Sequence, residues 1–154
     1  MTALKQIFSI EELLKWRREV IFNVFGEEPS AELLACNESF YKRHIPDGSH
    51  LAFLALEDGV EVGCGALCLT EELPSPDNPS GKCGYLMNIY VRAPYRQKGI
   101  GLRIVKHLIR EAKAANCGKI YLETTAVGRP IYESLGFHDL PDMMKLSDQL
   151  ISDP

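Results

Sequence analysis

Apolar positions along this chain change their spacing several times, and each change marks an element. Residues 3–8 predict a short strand. Ser9 with Glu12 three residues on forms a capping-box pattern, and Leu13, Leu14, Val20, Ile21 and Val24 follow at helical spacing as far as Gly26. A second helix starts near Pro29-Ser30, carries Leu33, Leu34, Asn37, Phe40 and Tyr41 on one face, and stops before Pro46-Asp47-Gly48. The two make a helical hairpin. The period then drops to two. Residues 51–57 and 60–69 predict strands joined by Asp58-Gly59, a strong hairpin turn. Gly63 and Gly65 weaken the second strand and mark a bulge or a close backbone approach. Pro74-Ser75-Pro76-Asp77-Asn78-Pro79-Ser80-Gly81 reads as a surface loop.

The rest of the chain is organised around one strand, loop and helix. Residues 85–91 are rich in aromatic and β-branched side chains and have strand length. Pro94 bars continuation, because it has no N–H for a ladder. From Leu102, apolar residues recur at Val105, Leu108 and Ile109, with Arg103, Lys106, Arg110 and Lys113 elsewhere, which is helical spacing. Asn116-Cys117-Gly118 ends that helix and residues 119–124 predict another strand. A strand–helix–strand unit of this length implies a parallel pair with a crevice at the strands' carboxyl ends. Gly128-Arg129-Pro130 opens a short helix that stops at Gly136. From Phe137, with Met143-Met144-Lys145-Leu146, a closing strand or hairpin is expected. A hairpin first and one βαβ unit later predict an α/β mixed sheet, not a doubly wound one.

Composition narrows the class. At 154 residues, 45% apolar and 25% charged, the chain fits one ordinary globular domain, residues 1–154. A net charge of −4 argues against a general nucleic-acid binder. No apolar run has membrane-spanning length and no signal-like segment opens the chain, so a cytoplasmic protein with no membrane partner is expected. The five cysteines are scattered, and the four histidines show no ligand spacing with them. Reduced core cysteines and no metal are the expectation.

Against the acidic whole, one stretch is basic. Between Tyr90 and Val105 lie Arg92, Arg96, Lys98 and Arg103 with no acid. Gly99 and Gly101 fall at the opening of the following helix, where unpaired N–H groups and the dipole favour an anion. A solvated basic loop is the plainer reading, and the charge contrast favours a phosphate site.

The order of residues adds a resemblance. Arg96-x-x-Gly99-x-Gly101, after a strand ending Ile89-Tyr90-Val91, resembles the acyl-CoA pyrophosphate loop of the GCN5-related N-acetyltransferase (GNAT) superfamily. Ile131-Tyr132-Glu133-Ser134-Leu135-Gly136-Phe137 resembles the later block of the same superfamily, in the right order and at the right separation. The resemblance extends over roughly residues 51–146. It implies a GNAT fold, with a mostly antiparallel sheet, one parallel pair splayed around the cofactor, and helices on both faces. It implies acetyl-CoA as acyl donor, its pantetheine along Ile89, Tyr90 and Val91, and its pyrophosphate on the N–H groups of Gln97, Lys98, Gly99, Ile100, Gly101 and Leu102, with Arg96 and Lys98 adding charge. The activity implied is direct attack of an amine, on a small molecule or peptide, upon the thioester, with Tyr132 as the acid for the departing thiolate. Packing alone is the plainer role for Tyr132. The family also commonly forms homodimers. Where it often has asparagine contacting the CoA arm, this chain has Thr125, and Gly128 replaces an alanine.

No general base is evident. Glu123 and Asn88 are candidates for positioning water, each more readily structural. A dinucleotide-binding βαβ unit is the nearest rival, with Glu123 placed for a ribose. It lacks the third glycine, where Ile104 stands. A Walker loop lacks its Gly-Lys-Ser/Thr. A non-catalytic acyl-CoA sensor or partner subunit stays open. In this fold the acceptor pocket is typically shaped by the region from Trp16 to Tyr41 and from Leu73 to Lys82. There Glu27, Glu28, Glu32 and Glu38 would suit a cationic amine, or would form a solvated acidic face.

Overall fold

The computed structural model describes residues 1–147, in the order β1 (Thr2–Ile7), α1 (Ile10–Phe25), α2 (Ala31–His44), β2 (His50–Glu57), β3 (Val60–Glu71), β4 (Lys82–Val91), a 3-10 turn (Ala93–Tyr95), α3 (Ile100–Ala114), β5 (Lys119–Leu122) and α4 (Arg129–Ser134). Two compact units divide at Thr124/Thr125, and α4 belongs to the second. The first holds a five-stranded sheet in the order β1-β2-β3-β4-β5. Its first three pairings are antiparallel and β4–β5 is parallel. This is the mixed sheet that the order of apolar periods predicts.

Both faces of the sheet are covered. On one, Leu13, Trp16 and Val20 of α1 and Tyr41 of α2 pack with Ala52, Leu54, Cys64, Ala66 and Tyr90. Ser9 and Ser30 cap these helices, accepting from the N–H groups of Glu12 (3.3 Å) and Leu33 (3.1 Å). Tyr41 is the only fully buried member of the apolar face expected for α2, and Leu33 is exposed. On the other face α3 lies close. A Cβ at Gly65 would stand 2.5 Å from Ile104 Cγ2, and one at Gly63 would stand 2.6 Å from the Tyr90 carbonyl oxygen. Those glycines therefore mark both a close approach and a change of register.

One expectation fails. Residues 137–147 form no strand. Pro141 interrupts the stretch, and Leu140, Met143, Met144 and Leu146 are all exposed, so the apolar run has no face to bury. Residues 148–154 lie outside the described part.

Candidate functional site

The site begins with a fault in β4. Met87 pairs with Ala66 and Tyr90 with Cys64, so Asn88 and Ile89 together face the single residue Gly65. That is a β-bulge. Asn88 occupies the left-handed region (φ 55), which asparagine tolerates better than most residues. It is held there from two sides. Arg17 Nη1 donates to its side-chain oxygen (2.8 Å) and Cys64 Sγ donates to its carbonyl (3.3 Å). β5 pairs with β4 only from Cys83 to Leu86. Beyond Leu86 the β4 edge on that side has no strand partner among the described residues, at the carboxyl end of the parallel pair, where the crevice of such a sheet is expected.

The loop after β4 is built for an anion. Gln97 (φ 60) and Gly99 (φ 78) both take the left-handed conformation, which turns the backbone into the start of α3. Gly99 is the N-cap and no side chain caps the helix, in contrast to α1 and α2. The N–H groups of the first turn are thus left for another acceptor. A Cβ at Gly99 would meet nothing within 4 Å, so the space before them is open.

The basic residues divide. Arg92 is structural. It makes a bidentate pair with Glu19 (2.9 Å each), donates to the Glu61 carbonyl (2.8 Å) and lies 4.4 Å over the Trp16 ring. Arg103 donates to Thr2 Oγ1 (2.7 Å). Arg96 is fixed through Nε to the Val91 carbonyl (2.8 Å), and Lys98 reaches over the Tyr95 ring at 5.6 Å, neither within ion-pair distance of a carboxylate among the described residues. Arg96 and Lys98 are the exposed charges left beside the helix start. Ile100 and Tyr90 are buried and offer mainly backbone to a ligand, while Ile89 is half-buried beside Gly65. Val91, Gly101 and Leu102 complete the stretch that the structure gathers around the loop.

The sheet face under the helical hairpin carries polar groups that sequence spacing does not reveal. Arg17 Nε donates to Asn37 Oδ1 (3.3 Å), joining α1, α2 and the bulge. Tyr85 stacks with Tyr121 (5.0 Å), and burial, with the Glu123 carboxylate beside it, pushes its phenol up to about 12. His50 and Cys68, register partners across β2–β3, stand 3.1 Å apart, both neutral at pH 7. Burial takes His50 down to about 4 and Cys68 up to about 11. Among the described residues no group of three or more His, Cys, Asp or Glu could hold a metal. Among the described residues no helix is long and apolar enough to cross a membrane. Of the acidic residues on the helical hairpin, Glu28 pairs with Arg18 and Glu38 with Lys42, both at 3.0 Å on the exposed surface. The loop from Leu73 to Lys82 is locked by the buried Asn78, whose Nδ2 reaches Glu72 Oε1 (3.1 Å) and the Lys82 carbonyl (3.2 Å), at the far end of β4 from Gly99.

In the second unit, Tyr132 sits on α4. The Phe137 N–H donates to the Tyr132 carbonyl (3.1 Å) and the Gly136 N–H to that of Glu133 (3.0 Å), with Gly136 at φ 95. This is a Schellman cap, and the accompanying apolar contact is the edge-on Tyr132–Phe137 ring pair at 5.9 Å. Burial raises the phenol's pKa above its ordinary value.

Comparison with known proteins agrees with this architecture. The model of the acetyltransferase (GNAT) family matches residues 10–137, and the chain belongs to that family. A stretch of 57 residues is 40% identical to a probable glucosamine 6-phosphate N-acetyltransferase 2 of Oryza sativa subsp. japonica, covering 37% of this chain and 34% of that protein. The chain spans between a third and a half of the length of the first curated relatives it matches. A crystal structure of a predicted acetyltransferase with acetyl-CoA from Clostridium acetobutylicum superposes with a TM-score of 0.83 at 24% identity, over 96% of both chains. A GCN5-related N-acetyltransferase from Ralstonia eutropha JMP134 superposes with a TM-score of 0.76 at 25% identity, over 96% of this chain and 99% of that one.

Proposed function

We propose that the chain is an acetyl-CoA-dependent N-acetyltransferase, its two units working as one domain over residues 1–154. The observation that carries this reading is the uncapped, open start of α3 beside a β4 edge that β5 has left unpaired. The residues present fit the donor. The amides from Gln97 to Leu102 would take the pyrophosphate, with Arg96 and Lys98 adding charge. The β4 edge at Ile89, Tyr90 and Val91, which β5 leaves uncovered and where Arg96 holds the Val91 carbonyl, would take the pantetheine. When bound, acetyl-CoA supplies an activated thioester. A β4 N–H beyond Leu86 would then donate to the developing oxyanion. Tyr132 would deliver a proton to the departing thiolate. The acceptor is an amine of a small molecule or peptide. All five cysteines are free, which suits a reducing compartment, and we place the activity in the cytoplasm.

The test is calorimetric titration with acetyl-CoA and with NADH, wild type beside Gly99→Glu, with thermal melts to show that the variant folds. The glutamate would project bulk and negative charge into the open space at the helix start. Acetyl-CoA binding that the variant abolishes supports the reading. Binding indifferent to Gly99, or NADH binding instead, overturns it. Binding without turnover of any amine would leave the sensor as the better description.

A further inference from the structure

Among the described residues, Arg17 is the one half-buried arginine without a counter-charge. Three arginines among the described residues are half-buried: Arg17, Arg92 and Arg129. Arg92 pairs with Glu19, and Arg129 with Glu133 and Asp139. Among the described residues no carboxylate stands within ion-pair distance of Arg17. Two amide oxygens orient it instead, Asn37 Oδ1 at 3.3 Å from Nε and Asn88 Oδ1 at 2.8 Å from Nη1, and Nη2 donates to neither. Amides fix a guanidinium in place but leave its charge intact. That charge is felt across the face. It opposes protonation of His50 and lowers the phenol of Tyr41 and the thiol of Cys64 against the stronger effect of burial.

Its location gives the charge a use. Asn88 is the bulge residue, two positions beyond the last β4–β5 pair, Leu86 with Leu122. The guanidinium therefore stands beside the point where β5 leaves β4, on the helical-hairpin side. A purely cationic acceptor would be repelled there. An acceptor with a second, anionic group would be drawn in and oriented, because a planar guanidinium with free N–H groups matches a carboxylate or phosphate.

We propose that Arg17 is a specificity-determining residue, and that the acceptor is an amine that also carries a carboxylate or a phosphate. The inference rests on the acetyltransferase reading. It also replaces the cationic acceptor that the acidic residues of the hairpin would suit.

Matched pairs test it: glucosamine 6-phosphate against glucosamine, and amino acids against their amides. First, calorimetry measures binding of each member to the wild-type protein–CoA complex, which needs neither turnover nor a variant. At least one anionic member should bind on the order of ten- to a hundredfold tighter than its neutral partner. The sugar and amino-acid arms separate phosphate from carboxylate. Second, the kcat/KM ratio within the preferred pair is measured in Arg17→Lys and Arg17→Gln. The ratio should fall part of the way in the first and close to one in the second. Equal binding within every pair, or a ratio that Arg17→Gln leaves intact, overturns the proposal. Acetyl-CoA titration of the same preparation separates the two failures. If acetyl-CoA does not bind, the acetyltransferase reading falls and takes this inference with it. If acetyl-CoA binds and the pairs are equal, this inference falls alone.

Discussion

A phenol keeps its proton to higher pH when its anion is denied water, and burial does this to Tyr132. At neutral pH the hydroxyl is protonated and able to donate to a thiolate, whose conjugate acid lies near 8.5. Tyr132→Phe is expected to lower kcat on the order of a hundredfold while leaving the acetyl-CoA Kd unchanged. The sign of the pH effect follows from the direction of the shift. An acid must hold its proton, so the alkaline limb of kcat should lie above pH 10 in the wild type and vanish in the variant. Profiles that coincide would assign Tyr132 to packing alone. At this scale the sequence was only half legible. Gly99, Arg96 and Lys98 stand within a few positions of one another, so their spacing showed a common loop. Arg17 and Asn88 are 71 positions apart, and only the fold brings them together. Longer separations hid the partners of Arg92 and Arg103, which count by charge towards the basic stretch and serve Glu19, 73 positions away, and Thr2, 101 positions away.

Elements explain why the motifs look as they do. The Tyr-Glu-x-x-Gly-Phe block is a helix end written in sequence. A glycine supplies the left-handed turn, and the tyrosine and phenylalanine close the apolar contact across it. In β3, Gly63 lets β4 come close after the bulge. Gly63→Ala would press a methyl onto the Tyr90 carbonyl, a backbone atom that cannot swing aside. A loss of about 1–3 kcal/mol is expected, read in urea melts, together with weaker acetyl-CoA binding as the crevice edge shifts. Unchanged stability would mean that the bulge relaxes freely. Strands and helices with a partner face were legible from their periods. The misread element was the closing strand after Phe137. Its apolar residues have strand-like composition, but periodicity cannot tell a buried run from an exposed one.

At the scale of the molecule, the buried core makes stability depend on acid. His50 has a pKa near 4 in the fold, against an ordinary 6.5. Above pH 6.5 the imidazole is neutral in both states. As pH falls below that, the unfolded chain takes up a proton that the folded chain refuses, and stability drops until about pH 4. That gap corresponds to about 3 kcal/mol. Urea melts between pH 7 and 4 should show the decline, and His50→Gln should flatten it over this window. A decline of the same slope in the variant would place its origin in the carboxylates.

The bulge at Asn88 also sets a phase. Met87 and Tyr90 share one core face although three positions separate them, an odd interval that an unbroken strand would send to opposite sides. One supernumerary residue inverts the alternation for everything downstream. Without it Tyr90 would point at α3, Arg92 would turn away from Glu19, and the anion loop would start from the wrong side of the sheet. What makes this strand a binding edge is therefore a matter of parity, and a deletion that left every apolar residue in place would erase it.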